Sequence, residues 1–368
     1  MKKCVCFFAI VLSVVLLRFL TFSSPASAQN APPAPRNLQL TATDTIAADE
    51  ATIVYQHVHP ANTEAGTAFT QNKISTNGQR ANSASSPNSA SVPFIGTNGL
   101  DQNRFPADLN YFGGAVVPFA QSHPIFLLPN GSCPIATCWG DPESFLTDFA
   151  ASDLSRITDQ YVGTHGSNRY TLGDGFAFSY TPPAVPLTDG NLRAIVHAAV
   201  LLSGESGYEH IFHIFLPPGQ DECFTSAATQ CYSPDKPNSF VFCAYHNSVT
   251  FSDVGHVLYT VQPFQNVPGC QVRPGTPNGQ LIDSTNSNLS HELIETITDP
   301  DGDAWFNFTT NSLAGQEIAD ECQFISILQV SPTSFAVFND PTVFTIGKHV
   351  YATQPEYNNH DHACGVAP

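Results

Sequence analysis

The sequence predicts an α+β protein, a single disulfide-stabilised domain in which helices pack on a mixed β-sheet. Helical and strand-like patterns follow one another without the regular alternation that a doubly wound fold requires. Of the 368 residues, 42% are hydrophobic, which is ample material for a core. Eight cysteines remain once an N-terminal leader is set aside. In an exported chain, that even number predicts up to four disulfide bonds.

The charge balance argues against two classes of partner. The chain carries 13 basic and 31 acidic side chains, a formal net charge of −18. Nucleic acids and anionic membrane surfaces are bound by clustered Lys and Arg, so neither is an expected partner. The aromatic content of 11% is too high for a chain that never folds.

The N-terminus has the pattern of a secretory signal peptide. Lys2 and Lys3 precede an apolar run at residues 5–17, and Ala-Ser-Ala at 26–28 is typical of a cleavage site. The alternative, a membrane anchor, is disfavoured because Arg18 interrupts a run already short for a span. The sequence therefore predicts a signal peptide at 1–28 and a secreted, extracellular protein without a membrane span.

The mature chain divides by composition into two parts. Residues 29–108 are rich in Asn, Ser, Ala, Thr and Pro, and residues 75–99 have almost no periodic apolar pattern. Such a segment buries too little surface to offset its ordering entropy, which predicts a linker or a pro-region. An ordered surface loop is the alternative. The folded domain is predicted at 109–368.

The eight cysteines allow 105 pairings, of which pairing between neighbours is the simplest. No Cys-x-x-Cys pair is present in the sequence, which argues against a zinc ribbon or a thiol redox centre. Neighbour pairing would join Cys133 to Cys138, Cys223 to Cys231, Cys243 to Cys270, and Cys322 to Cys364.

Helices and strands are predicted from apolar spacing. A helix begins at the Asp-Pro-Glu of 141–143, whose acid, proline and glutamate suit a helix N-terminus, and its apolar residues continue to Tyr161. A second helix is predicted at 191–202 and a third at about 289–299. Strands are predicted at 115–117, 125–128, 211–216, 240–245, 256–261, 325–330 and 343–351.

The third helix carries the chemistry. His291 and Glu295 are four residues apart and therefore project from one helix face, where an imidazole and a carboxylate can share one divalent ion. Glu292 would lie beside that ion, placed to accept a proton from a bound water. The pattern resembles the His-Glu-x-x-His helix of metallopeptidases, with Glu295 in place of the second histidine. This is the basis for predicting a zincin-like helix.

A third ligand is predicted downstream. Glu317 lies 22 residues after Glu295 and is followed by Asp320. Thermolysin-like enzymes have a similar layout, in which a glutamate is the third zinc ligand and a nearby acid orients a ligating histidine. Asp320 would orient His291 in this way. One histidine and two carboxylates suit zinc and also harder divalent ions. The alternative is that these acids belong to a solvated turn.

A second cation site is conceivable in the loop after this helix. Asp299, Asp301 and Asp303 alternate around a glycine, and alternate oxygens can surround calcium. Thr310 stands where an EF-hand has its bidentate glutamate, so the loop is not an EF-hand. The alternative is an acidic turn stabilised by side-chain to backbone hydrogen bonds.

Two histidines close to the C-terminus have a similar ambiguity. His360 and His362 precede Cys364, and a disulfide from Cys364 to Cys322 would bring them near Glu317. They would then bind substrate or replace a metal ligand. The alternative, an exposed tail, is the commoner role of such a segment.

Blocks of this sequence resemble the Exordium, or phosphate-induced protein, family, and are most similar to its bacterial secreted members. They are Tyr-Phe-Gly-Gly-Ala-Val at 111–116, Ser-His-Glu-Leu-Ile-Glu-Thr-Ile-Thr-Asp-Pro at 290–300 with Ala304 and Trp305, Glu-Ile-Ala-Asp-Glu-Cys at 317–322, Phe-Leu-Pro-Pro-Gly at 215–219, Phe-Cys-Ala-Tyr-His at 242–246, and Pro-Asn-Gly at 277–279. The family's usual Tyr-His-Gly-Gly-Pro is altered at Phe112 and Ala115, so any role of that histidine is absent. The resemblance implies an extracellular protein, associated in plants with the cell wall and growth, but supplies no established reaction.

Two functional hypotheses follow. The first is a secreted metal-dependent hydrolase of the metallopeptidase type, acting on a peptide or a cell-wall polymer. In it His291, Glu295 and Glu317 hold zinc or another divalent metal and Glu292 is the general base. The second is a non-catalytic extracellular or wall-associated protein. A weaker third hypothesis is calcium-dependent ligand binding through Asp299, Asp301 and Asp303.

Overall fold

The structure is a computed structural model, and residues 34–368 form one compact unit. The predicted signal peptide and the segment 75–99 lie outside the described residues. So do the side chains of residues 324–340. The described residues are 33–69, 105, 107–130, 133–308, 313–323, 325–331, 334–339 and 341–368.

A mixed β-sheet forms the centre of this unit. Its strand order is β1-β6-β4-β8-β12-β11-β2, and β5 pairs with β4. Strands β1, β6, β4, β8 and β12 run parallel, whereas β11 and β2 are antiparallel to their neighbours. The strands are β1 (Arg36–Leu38), β2 (Thr52–Pro60), β4 (Ala120–Pro129), β5 (Tyr170–Leu172), β6 (Phe176–Tyr180), β8 (Gly207–Phe215), β11 (Phe242–Phe251) and β12 (Gly255–Gln262).

Short strands pair outside the central sheet. Strand β3 pairs with β13, β7 with β9, β9 with β10, β14 with β15, β16 with β17, and β18 with β19. Their bounds are β3 (Asn110–Tyr111), β7 (Leu187–Thr188), β9 (Glu222–Cys223), β10 (Cys231–Tyr232), β13 (Trp305–Phe306), β14 (Ile325–Ser331), β15 (Ser334–Asn339), β16 (Thr342–Ile346), β17 (His349–Thr353), β18 (Glu356–Asn358) and β19 (Ala363–Gly365).

Helices cover both faces of the central sheet. The helices are α1 (Ala42–Glu50), α2 (Ile135–Cys138), α3 (Pro142–Ala150), α4 (Asp153–Arg156), α5 (Asp159–Val162), α6 (Asp189–Ser203) and α7 (Gln280–Thr298), with a 3₁₀ turn at Asp320–Cys322. Apolar residues of α6 pack with Ile125 and Leu127 on one face, and those of α3 and α7 pack with Phe126 on the other. In the described part of the chain, no helix combines the length and apolarity needed to cross a bilayer.

The mixed sheet with packed helices agrees with the predicted architecture at this level. Five of the predicted strands overlap β4, β8, β11, β12 and β14. The predicted strand at 115–117 does not form. The strand predicted at 343–351 is a hairpin of β16 and β17, because the chain turns at Gly347, whose φ of 59° suits a tight turn.

The helix predicted from Asp141 to Tyr161 is instead three helices, α3 to α5. Asp141 caps α3 as predicted, since its side chain accepts a hydrogen bond from the Ser144 amide. Ser152 then starts a new helix, because its hydroxyl accepts a hydrogen bond from the amide of Ser155 at 3.1 Å. A serine that caps in this way competes with continuation of the preceding helix.

The folded unit begins well before Leu109, where the composition suggested its start. Residues 36–60 form β1, α1 and β2, and both strands pair into the central sheet. The stretch 52–60 begins with Thr-Ile-Val-Tyr, a run of β-branched and aromatic residues typical of a strand, which the average composition of 29–108 conceals.

Four disulfides link cysteines of the described residues. They join Cys133 to Cys138, Cys223 to Cys231, Cys243 to Cys270, and Cys322 to Cys364. The neighbour pairing is therefore confirmed. These bonds are compatible with an extracellular protein.

Candidate metal centre

Helix α7 is buried along almost its whole length. Its apolar residues Leu289, Leu293, Ile294 and Ile297 belong to the core. Every polar residue from Asp283 onward on the helix is buried as well. A polar or charged group removed from water is stable only when it has partners, so the acids and histidine of this helix must find them inside the protein.

The first pair of partners comes from the helix itself. His291 and Glu295 are both fully buried, and His291 Nε2 lies 3.2 Å from Glu295 Oε1. The structure thus brings together the two side chains that the four-residue spacing predicted on one face.

Gln354 determines the orientation of the His291 ring. Its Nε2 donates to the main-chain carbonyl of Ala319 at 2.8 Å, which turns its Oε1 towards His291 Nδ1, 3.1 Å away. An amide oxygen only accepts hydrogen bonds, so Nδ1 must carry the proton. In the neutral ring, Nε2 therefore has a lone pair directed towards Glu295, as a metal ligand requires.

Glu317 contacts residues of strands β2 and β11. It is fully buried and accepts a hydrogen bond from the Tyr55 hydroxyl. Its Oε1 lies 3.0 Å from His57 Nδ1, and its Oε2 lies 3.3 Å from His246 Nε2. The predicted third ligand is therefore held between two histidines that the sequence analysis did not select.

The contacts of Asp320 differ from those expected of a residue that orients His291. Its Oδ2 lies 2.8 Å from His57 Nε2. Its Oδ1 lies 3.8 Å from His291 Nε2, the nitrogen that faces Glu295. The group on Nδ1 of His291 is Gln354, so Gln354 orients this ring and Asp320 contacts His57.

Possible ligand atoms cluster in overlapping groups of three, each with its atoms within 4.8 Å of one another. Donors that share one tetrahedral zinc lie roughly 3.3 Å apart, because each is about 2.0–2.1 Å from the metal. The separations of 3.2 Å between His291 and Glu295 and of 3.3 Å between His246 and Glu317 match that value. The groups are His57, His246 and Glu317; His57, Glu295 and Asp320; His246, Glu292 and Glu295; and His59, His291 and Glu292.

The carboxylates of this region carry a strong electrostatic penalty. Burial raises the pKa of Glu317 well above its ordinary value, and the charges of Asp299 and Glu295 raise it further. Burial also raises the pKa of Glu356 well above normal. At Asp320, burial acts in the same direction, but the charge and hydrogen bond of His57 outweigh it and lower the pKa. The raised pKa values of Glu317 and Glu356 mean that their ionised forms are unfavourable inside the protein. A bound cation would stabilise those ionised forms.

Three histidines of the cluster were missed by sequence reasoning. His57 and His59 lie on β2, within the predicted linker, and His246 lies on β11, where it was interpreted as a core residue. The His-x-His pattern was the available signal, since residues two apart on a strand project from the same face. The ring of His59 packs edge-on against that of His291, with the centroids 4.0 Å apart.

The loop after α7 makes the contacts of an acidic turn. Asp299 accepts a hydrogen bond from the Ala304 amide at 2.7 Å. The carboxylate of Asp301 accepts from the Tyr208 hydroxyl and lies 3.1 Å from His256 Nε2. The Asp299 contact is the side-chain to backbone bond of the alternative interpretation, and calcium binding by Asp299, Asp301 and Asp303 stays a prediction.

The C-terminal histidines contact other groups. His360 is largely exposed, with its side chain 86% accessible. His362 lies 2.9 Å from the Asp108 carboxylate and stacks on Phe105. These contacts lend no support to a role as metal ligands.

No family model, curated protein or solved structure matches the chain. The resemblance to the Exordium family and the zincin-like fold therefore stay predictions.

Proposed function

We propose that this chain is a secreted, metal-dependent hydrolase of the metallopeptidase type. One observation carries the proposal: imidazoles of His57, His246 and His291 converge with carboxylates of Glu295 and Glu317 inside the protein. The separations between these nitrogens and oxygens run from 3.0 to 3.9 Å. Both carboxylates pair with histidines, an arrangement that suits a shared divalent cation.

Glu295 and Glu317 are the proposed carboxylate ligands. His246 Nε2 lies 3.7 Å from Glu295 Oε2 and 3.3 Å from Glu317 Oε2, and it forms a set of three donors with His57 and Glu317. His291 approaches the other oxygen of Glu295. Imidazole with carboxylate oxygen suits zinc, and also manganese or iron.

Glu292 is the proposed general base. One of its oxygens lies within 4.8 Å of donor atoms of His246 and Glu295, beside the ligands rather than remote from them. A bound divalent metal lowers the pKa of a coordinated water and polarises a carbonyl group. Glu292 would take the proton of that water and deliver it to the leaving group. The substrate proposed is a peptide or a cell-wall polymer.

A second candidate function is a non-catalytic extracellular protein with a structural metal. Complete burial favours it, since His246, His291, Glu295 and Glu317 are each 0% exposed. A catalytic metal keeps one position open to water and substrate, whereas a structural one is closed. The least buried side is at His57 and Asp320, whose side chains are 5% and 10% exposed.

Metal content and turnover distinguish the two candidates. The full chain is purified without chelator, and its metal is measured by mass spectrometry alongside hydrolysis of fluorescently labelled casein. We expect stoichiometric metal, and we expect Glu292→Gln to retain that metal while hydrolysis falls by about 10²-fold or more.

The control is Glu209→Gln, which makes the same change at an exposed position of β8. It should alter neither metal content nor turnover. Metal that survives in a protein without hydrolysis of casein or of wall polysaccharide would support the structural candidate. Absence of metal from both purified and zinc-reconstituted protein would refute the metal centre.

A further inference from the structure

A second group of ligating side chains lies on the other face of the central sheet. His123 is on β4, His210 is on β8, and Glu205 is in the turn between α6 and β8. Along β4, His123 shares a face with Ile125 and Leu127, which pack with α6, whereas Phe126 faces α7. The sheet therefore separates this group from the metal centre on α7.

The three donor atoms have the spacing of metal ligands. His123 Nε2 lies 3.1 Å from His210 Nδ1 and 3.4 Å from Glu205 Oε2. All three donors lie within 4.8 Å of one another. Donors around one tetrahedral zinc are expected roughly 3.3 Å apart.

The hydrogen bonding of His123 leaves a lone pair at the centre of the group. Its Nδ1 lies 3.1 Å from the main-chain carbonyl of Asp174, which only accepts, so Nδ1 carries the proton of the neutral ring. Nε2 then faces a carboxylate oxygen without a proton between them. A proton on His210 Nδ1 satisfies the contact between the two histidines but not the contact between His123 and Glu205. Among the described residues, Glu205 Oε2 is buried without a hydrogen-bond partner.

The ring of His123 is also fixed in place. It is fully buried and stacks on Phe212, with the centroids 4.9 Å apart. Gly173 lies against its edge, where a Cβ atom would come within 2.3 Å of His123 Cε1. A backbone carbonyl on one nitrogen and close packing around the ring are the features that preorganise a ligating histidine.

We propose that His123, Glu205 and His210 form a second site for a divalent transition metal of the zinc type, independent of the centre on α7. Two imidazoles and one carboxylate leave a fourth position for water. The site is reached from solvent on the side of Glu205, whose side chain is 33% exposed. A metal held there would fasten the turn between α6 and β8 to β4.

Zinc stoichiometry tests the site. Metal-free full-length protein is equilibrated with zinc by dialysis at neutral pH, and bound zinc is measured by mass spectrometry. His210→Ala and Glu205→Gln should each bind one zinc per chain fewer than the unmodified protein. The control is His165→Ala, which removes an 83% exposed imidazole and should bind the same amount.

The same measurement on a Glu295→Gln background separates this site from the centre on α7. Adding His210→Ala to Glu295→Gln should remove one bound zinc per chain. This result is expected whether or not the centre on α7 binds metal. The proposal is overturned if Glu205→Gln and His210→Ala both bind as much zinc as the unmodified protein.

A third variant guards against loss of folding. Gly173→Ala removes no ligand but forces the His123 ring to move, so it should weaken zinc binding at least tenfold while circular dichroism stays unchanged. If His210→Ala does not fold, Glu205→Gln and Gly173→Ala decide the outcome, and unchanged zinc binding in both overturns the proposal.

Discussion

A single amide sets the chemistry of His291. Gln354 can present only its oxygen to the ring, because its nitrogen is engaged by the Ala319 carbonyl. Its own main-chain amide donates to Ser287 on α7 at 3.2 Å, so the side chain starts from a fixed position. The tautomer of a helix residue thus depends on a residue 63 positions later in the chain.

Removing this amide should weaken metal binding without removing a ligand. Gln354→Ala frees the ring to rotate and to exchange tautomers, and loss of such outer contacts costs about 10–100-fold in metal affinity. The affinity is measured by competition with a chromogenic zinc chelator.

The matched control is Gln160→Ala, whose amide contacts the Ile157 carbonyl and Asn358. It should leave affinity unchanged. Equal affinity of Gln354→Ala and the unmodified protein would show that Gln354 does not orient His291.

At the scale of elements, a buried polar cluster joins α6 and β9 to the central sheet. Asp189 at the start of α6 accepts hydrogen bonds from the hydroxyls of Tyr259 on β12 at 2.8 Å and Tyr245 on β11 at 3.1 Å. Glu222 on β9 lies 3.2 Å from the same Tyr245 hydroxyl. Two buried acids therefore compete for the Tyr245 hydroxyl.

This competition should make stability depend on pH. Burial, and then the charge of Asp189, raise the pKa of Glu222 well above its unfolded value of 4.5. The folded state therefore binds the proton more tightly. The resulting stabilisation is complete below pH 4.5 and is lost as pH rises through the folded pKa.

Glu222→Gln should remove that loss, because the amide stays neutral at every pH. We expect the free energy of unfolding to match the unmodified protein in acid and to exceed it by at least about 1 kcal/mol at mildly alkaline pH. Urea unfolding across the pH range measures it. Glu209→Gln is the exposed control, and a Glu222→Gln profile parallel to the unmodified one would contradict the prediction.

At the scale of the whole molecule, the disulfide from Cys322 to Cys364 connects the site to the C-terminus. Cys322 ends the 3₁₀ turn that contains Asp320, and Glu317 lies just before that turn. The bond spans 42 residues, whereas the bond from Cys133 to Cys138 spans five. A cross-link that closes a longer loop removes more entropy from the unfolded chain.

Removing these bonds should therefore have unequal effects. Replacing Cys322 and Cys364 by serine should lower the free energy of unfolding by about 4 kcal/mol, and replacing Cys133 and Cys138 by about 2 kcal/mol. Chemical denaturation measures both, each double variant serving as the control for the other. The reverse order would show that native contacts, rather than loop entropy, dominate.

The sequence by itself determined the features that depend on neighbours along the chain. These are the strands of the sheet centre and the placement of His291 and Glu295 on one helix face. Periodicity reports such features because helices and strands repeat every few residues.

Only the tertiary structure decided which side chains surround that face. His57 and Asp320 are in contact although 263 positions separate them. Gln354, which lies between β17 and β18, contacts His291 on α7. Spacing cannot report such contacts, since they depend on how the strands are ordered in the sheet. Average composition also concealed β2, because its nine residues carry a strand pattern within a long polar segment.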